Sequence, residues 1–125
     1  MKRMIFLLLA VTVAGTLSPA AAQVGFGTSV TVHGGQVFVG EPGHELRPGV
    51  LYVFGQGADG SWSVSQSLEA PEGTAGDRFG IRSTALGDVL LVSATRADDG
   101  TGAVYVFRKD GDRWVPDGRL VTDER

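Results

Sequence analysis

The chain repeats itself. Phe26-Gly27 recurs 53 residues later as Phe79-Gly80, and at the same offset Gly34 matches Gly87, Val39 matches Val92 and Gly49 matches Gly102. Tyr52-Val53-Phe54 likewise matches Tyr105-Val106-Phe107. Between residues 26–54 and 79–107, 9 of 29 positions agree, and they fall mainly on glycines, aromatics and strand apolars, which set backbone shape and packing. Past Phe54 the offset drops to 52, pairing Trp62 with Trp114 and Leu68 with Leu120. A period near 50 points to a propeller or a solenoid rather than to one irregular core.

Each copy reads as four short strands. The first is Thr28 to His33 or Ile81 to Leu86, where Val30 and Val32 alternate with polar neighbours in the manner of a strand. Gly34-Gly35 or Gly87-Asp88 then forms a two-residue hairpin, for which glycine supplies positive φ without a steric cost. The second strand, Gln36 to Gly40 or Val89 to Ala94, and the third, Val50 to Phe54 or Ala103 to Phe107, are apolar on both faces and so predict burial on both sides. In the fourth, Trp62, Val64, Gln66 and Leu68 alternate with serines, which predicts one dry and one wet face. Pro116 and Gly118 place the fourth strand of copy two at a sheet edge. The expected fold is all-β: two four-stranded antiparallel propeller-type blades, part of an incomplete β-propeller. No helical pattern occurs from Gln23 onward.

Residues 1–22 stand apart. Lys2-Arg3, an apolar run and Ala20-Ala21-Ala22 describe a secretory signal peptide cleaved after Ala22, leaving 23–125 as the repeat region, with copy one at 26–70 and copy two at 79–121. The expectation is export to the periplasm, the cell surface or the exterior, with no membrane attachment after cleavage. No later apolar stretch approaches the length of a spanning helix. The net charge is −3 and falls further once Lys2 and Arg3 are removed, so the basic patch that nucleic acid requires is missing. The chain has no cysteine, which excludes a disulfide framework and thiolate metal sites.

Phe-Gly, Gly102-Ala103-Val104-Tyr105-Val106-Phe107 and the link Gly76-Asp77-Arg78-Phe79-Gly80 resemble FG-GAP repeats, which build the β-propeller of integrin α-chains and occur in bacterial secreted and surface proteins. The resemblance covers Phe26 to Val121 and implies a non-catalytic binding module. The Gly-Ala-Pro position is degenerate, being Gly40-Glu41-Pro42 in copy one and Ser93-Ala94-Thr95 in copy two. The Asp-rich loop of calcium-binding members is replaced by a two-residue turn, too small for six to eight oxygens, so no metal is expected. FG-GAP propellers usually have seven blades, and two copies cannot close a ring. The expectation is a piece of a longer propeller, a ring of several chains or two blades packed face to face, with the first favoured.

Chemistry-bearing residues are few. Asp98-Asp99-Gly100 and Asp110-Gly111-Asp112 read first as acidic turns, since adjacent side chains point apart. His33 and His44 lack a nucleophile motif, and Gly55-x-Gly57-x-x-Gly60 follows a strand without opening a helix, so no catalytic residue and no cofactor are assigned. The tryptophans and tyrosines recur at the repeat period and read as blade core and rim. The longer loops, Glu41 to Pro48 and Thr95 to Thr101, should emerge at one end of the blades and carry recognition. Their candidate contact residues are Glu41, His44, Arg47, Arg96, Asp98 and Asp99, facing a protein or glycan. The alternative is a structural blade pair with no ligand of its own, belonging to a larger propeller or a self-assembling ring.

Overall fold

A computed structural model of the chain describes residues 25–43 and 46–123. The signal peptide expected at 1–22 lies outside these residues, as does His44. Eight strands form two antiparallel sheets with no helix among the described residues. Sheet 1 runs β1 (Ser29–His33), β2 (Gln36–Glu41), β3 (Val50–Gln56) and β4 (Trp62–Leu68) in sequence order. Sheet 2 repeats that order with β5 (Phe79–Leu86), β6 (Val89–Ala94), β7 (Ala103–Asp110) and β8 (Arg113–Leu120). Strand-for-strand, this is the blade pair that the sequence predicts.

The first hairpin turns where Gly34 and Gly35 both take positive φ, 58° and 74°, the conformation such a turn demands. The change of offset has a local cause. Gln56 pairs with Trp62 across five residues, whereas Lys109 pairs with Trp114 across four, so copy two is one residue shorter at this turn.

The sheets stack face to face. Ser29, Thr31 and His33 of β1 meet Gly80, Ser83 and Gly87 in the same order, so β1 and β5 run side by side in one direction. The core lies between the sheets, with Phe38, Leu51 and Val53 on one side and Leu90, Val92, Tyr105 and Phe107 on the other. Phe79 is fully buried among them, its ring 5.5 Å from that of Tyr105 and 6.0 Å from that of Phe107. Burying such a side chain contributes roughly 1.5–3 kcal/mol.

Glycine lets the backbones approach. A Cβ on Gly40 would lie 2.0 Å from the carbonyl oxygen of Gly80, and one on Gly49 would lie 2.1 Å from that of Phe79. At this corner the Phe79 N–H donates to Pro48 O at 2.8 Å, tying the β2–β3 loop to the next blade.

One expectation about strand faces holds in large part and one is corrected. The central strands of sheet 1 are buried or half-buried on the outward side too, Val39 being 7% exposed, while Val30 and Val32 of the edge strand β1 are 62% and 73% exposed. In β4, Trp62 and Val64 do not share a face with Gln66 and Leu68. A bulge at Val53/Phe54 pairs Val53 with Gln66 and Phe54 with Val64, and the extra residue, Ser65, reverses the alternation. The same bulge recurs in sheet 2 between Val106 and Phe107.

Candidate functional site

Two surfaces carry the exposed chemistry. One is the loop end, where the β2–β3 and β6–β7 connections and the β4–β5 link come together, as the repeat predicts. It is built around two repeat-equivalent tyrosines. Tyr52 donates its hydroxyl to Glu41 Oε2 at 2.6 Å. That hydrogen bond, followed by burial and the Glu41 charge, raises the phenol above its ordinary range. Arg47 pairs nearby with Glu69 at 3.1 Å, both about half exposed, which is worth no more than about 1 kcal/mol.

Around Tyr105 the arrangement is larger. Arg96, Asp98 and Asp99 line an open cleft of about 640 Å³ with Glu72, Asp77, Tyr105 and Arg119. Burial, partly offset by the Arg119 charge, raises the Tyr105 phenol. The Arg119 guanidinium lies 5.8 Å over the Tyr105 ring and donates to Asp98. Asp77 is buried because its carboxylate caps the link, accepting from the Thr74 N–H and hydroxyl at 2.9 Å each. Its carbonyl takes the Arg96 N–H at 3.0 Å. The fold thus gathers Arg96, Asp98 and Asp99 into one cleft and sets Glu41 and Arg47 at the other corner. Sequence reasoning missed Asp77 and Arg119, though Asp77 at the end of a Thr-x-x-Asp stretch is a legible capping signal.

Among the described residues no group of three or more His, Cys, Asp or Glu is placed to hold a metal ion. His33 donates from Nε2 to the Gly87 carbonyl at 2.8 Å, so its ring serves the contact between blades.

The second surface is the outward face of sheet 1. Phe26 packs there on Tyr52 and Phe54, with ring centroids 5.7 and 6.1 Å apart. It walls a shallow apolar groove of about 300 Å³ with Val37, Val39, Phe54 and Trp62. Phe26 is 59% exposed and Trp62 50%, whereas their repeat equivalents Phe79 and Trp114 are 0% and 1% exposed. Phe26, Val30, Val32, Trp62 and Val64 all expose apolar side chains on this face. Apolar side chains gathered on one sheet face are a feature of contact surfaces.

The fold and its two surfaces define a stacked pair of propeller-type blades. The chain carries an FG-GAP repeat: residues 62–107 match that family's model. The match starts in β4 and ends in β7, so the sequence unit is the outer strand of one sheet plus the three inner strands of the next, and the Phe79-Gly80 junction lies inside it. No curated protein matches the chain.

Proposed function

We propose that the chain is an exported, non-catalytic interaction module of the FG-GAP type, and that its main contact surface is the outward face of sheet 1. One observation carries this reading. Phe26 stands on that face as Phe79 stands on the buried face of sheet 2, with the same ring spacings, but Phe26 is wet. The face has the form of one half of a blade-to-blade contact. Export is supported by Lys2-Arg3, the apolar run and Ala20-Ala21-Ala22, the pattern of a signal peptide cleaved after Ala22, and cleavage there would send the protein to the periplasm, the surface or the exterior. The absence of catalysis is supported by the engagement of His33 between the blades and by the FG-GAP repeat itself.

Iodide quenching of tryptophan fluorescence tests the surface. Trp114 is out of reach, so quenchable emission belongs to Trp62. In the isolated chain a large share should be quenched. In the assembly recovered intact from producing cells that share should vanish. Emission that stays equally quenchable in the assembly refutes the reading.

The second reading places a protein or glycan at the loop end. It is favoured by the cleft that brings Arg96, Asp98 and Asp99 together. Binding of the whole chain to an array of glycans, lost on Arg96→Ala and unchanged on Val32→Glu, would favour it over the first.

A further inference from the structure

The two outward faces of the blade pair are not complementary to each other, and this decides what can cover sheet 1. We propose that the outward face of sheet 1 accepts a further FG-GAP-type blade and that sheet 2 of a second copy cannot be that blade. The inference rests on the contact surface proposed above and specifies its partner.

The accepting half is preformed. Gly27 has φ +92° and Gly80 has φ +88°, so the glycines of the two Phe-Gly corners share the left-handed conformation. A Cβ on Gly80 would meet Val50 O at 2.9 Å, whereas one on Gly27 would meet none of the described residues within 4 Å. Trp62 occupies on sheet 1 the place that Trp114 occupies on sheet 2. The aromatic side of a blade contact is thus laid out on this face.

The donating half can be read from the contact inside the molecule. Sheet 1 gives sheet 2 four specific features. Gly40 leaves room for the Gly80 carbonyl, and a Cβ there would stand 2.0 Å from that oxygen. Ser29 is small enough to donate to the same carbonyl, at 2.8 Å. Gln36 Oε1 accepts the Trp114 indole N–H at 3.0 Å. The Gln66 side chain bonds both backbone groups of Trp114, at 2.7 and 2.8 Å.

The outward face of sheet 2 has lost all four. By repeat offset, Ser93 stands at the position of Gly40, Arg82 at that of Ser29, Val89 at that of Gln36 and Gly118 at that of Gln66. Placed on the outward face of another copy, Ser93 would drive its Cβ into the Gly27 carbonyl. The Trp62 indole would find a valine in place of an acceptor, and a buried unpaired N–H is unfavourable. Copies therefore do not stack head to tail, and rings of whole chains are excluded. The accepted blade has glycine at the Gly40 position, a small residue at the Ser29 position and amide side chains at the two glutamine positions.

Light scattering on the full chain and two variants tests this. Wild type should keep the mass of one chain as concentration rises. Arg82→Ser, Val89→Gln and Ser93→Gly together rebuild most of the donating face, so this variant should rise with concentration to about twice that mass and beyond, and added Val32→Glu should reverse the rise. A folded triple variant that stays at one chain overturns the proposal, as does wild type that already associates through the Val32 face. Gly40→Ser puts the same collision inside the wild-type pair and decides the matter if the triple variant fails to fold. A clear fall in melting temperature supports the proposal, and a melt superimposable on wild type overturns it. If copies fail to stack in the triple variant while Trp62 is protected from iodide in the native assembly, the surface is used but by a partner of another kind. If copies stack while Trp62 stays quenchable, the geometry holds and the use of the surface fails.

Discussion

The side chain of Gln66 bonds both backbone polar groups of Trp114, accepting from its N–H at 2.8 Å and donating to its carbonyl at 2.7 Å. One amide on the outer strand of sheet 1 thereby satisfies a residue on the outer strand of sheet 2. Trp114 is then fixed in place, its ring set edge-on to Phe38 with centroids 5.7 Å apart. Gln66→Leu removes both bonds and leaves two half-covered backbone groups without partners, which should cost about 1–3 kcal/mol. Gln56→Leu, which loses only an exposed bond to Gly60 O, should stay within about 0.5 kcal/mol. Urea unfolding of both variants makes the comparison, and equal losses would remove Gln66 from the inter-blade seam.

The two Phe-Gly phenylalanines should differ sharply. Phe79→Ala empties a site enclosed by both sheets and should cost roughly 3–5 kcal/mol. Phe26→Ala removes the equivalent ring from an open face and should cost less than about 1 kcal/mol in the isolated chain. Denaturant midpoints at constant slope measure both. In an assembly that covers sheet 1 the Phe26→Ala penalty should grow, and among the described residues no other phenylalanine is exposed to offer that contrast.

The repeat made the sheets legible, and three kinds of residue escaped it. Gly34, Gly35 and the Val-rich strands carry strong local signals, so strand order and hairpins followed from the sequence alone. Ser29, Thr31, His33 and Gln36 carry no mark of contact in the sequence, yet they form the polar seam between blades, because a side chain that bonds a neighbouring sheet has the same polarity as one that bonds water. The Ser65 bulge has no compositional mark, so the face change between Val64 and Gln66 was invisible. Of the loop candidates, Glu41 and Arg47 serve one corner and Arg96, Asp98 and Asp99 the other. Arg119, which completes the second corner, lies 21 residues from Asp98 and is joined to it only by the fold.

Alkaline pH should destabilise the pair through its two tyrosines. Both phenols are raised in the fold, Tyr52 first by its hydrogen bond to Glu41 and Tyr105 first by burial. The folded state therefore keeps these protons at a pH where the unfolded chain releases them. The contribution is complete below the unfolded value, near 10, and is lost as pH rises through the folded values. The melting temperature should not respond to these groups between neutral pH and about 9 and should fall beyond about 10. Tyr52→Phe and Tyr105→Phe should each flatten that fall, and Glu41→Gln should flatten the Tyr52 share. Melts in buffers stepped from neutral to alkaline check the sign, and a rise above pH 10 would contradict it.

The link into sheet 2 stores a local strain that can be relieved. Arg78 holds φ +62° immediately before Phe79, a left-handed conformation that disfavours a residue with a Cβ by roughly 1–2 kcal/mol. Arg78→Gly removes the strain but adds freedom to the unfolded chain, a cost of about 0.5–1 kcal/mol. The net effect should be a gain of about 0.5–1 kcal/mol. Arg82→Gly, in the extended backbone of β5 nearby, incurs the entropy cost without any relief and should lose about as much. Opposite shifts of the urea midpoint are therefore expected from two Arg→Gly changes four residues apart. Should both midpoints fall, the Arg78 side chain holds the Asp77–Phe79 corner by contacts that outweigh its backbone strain.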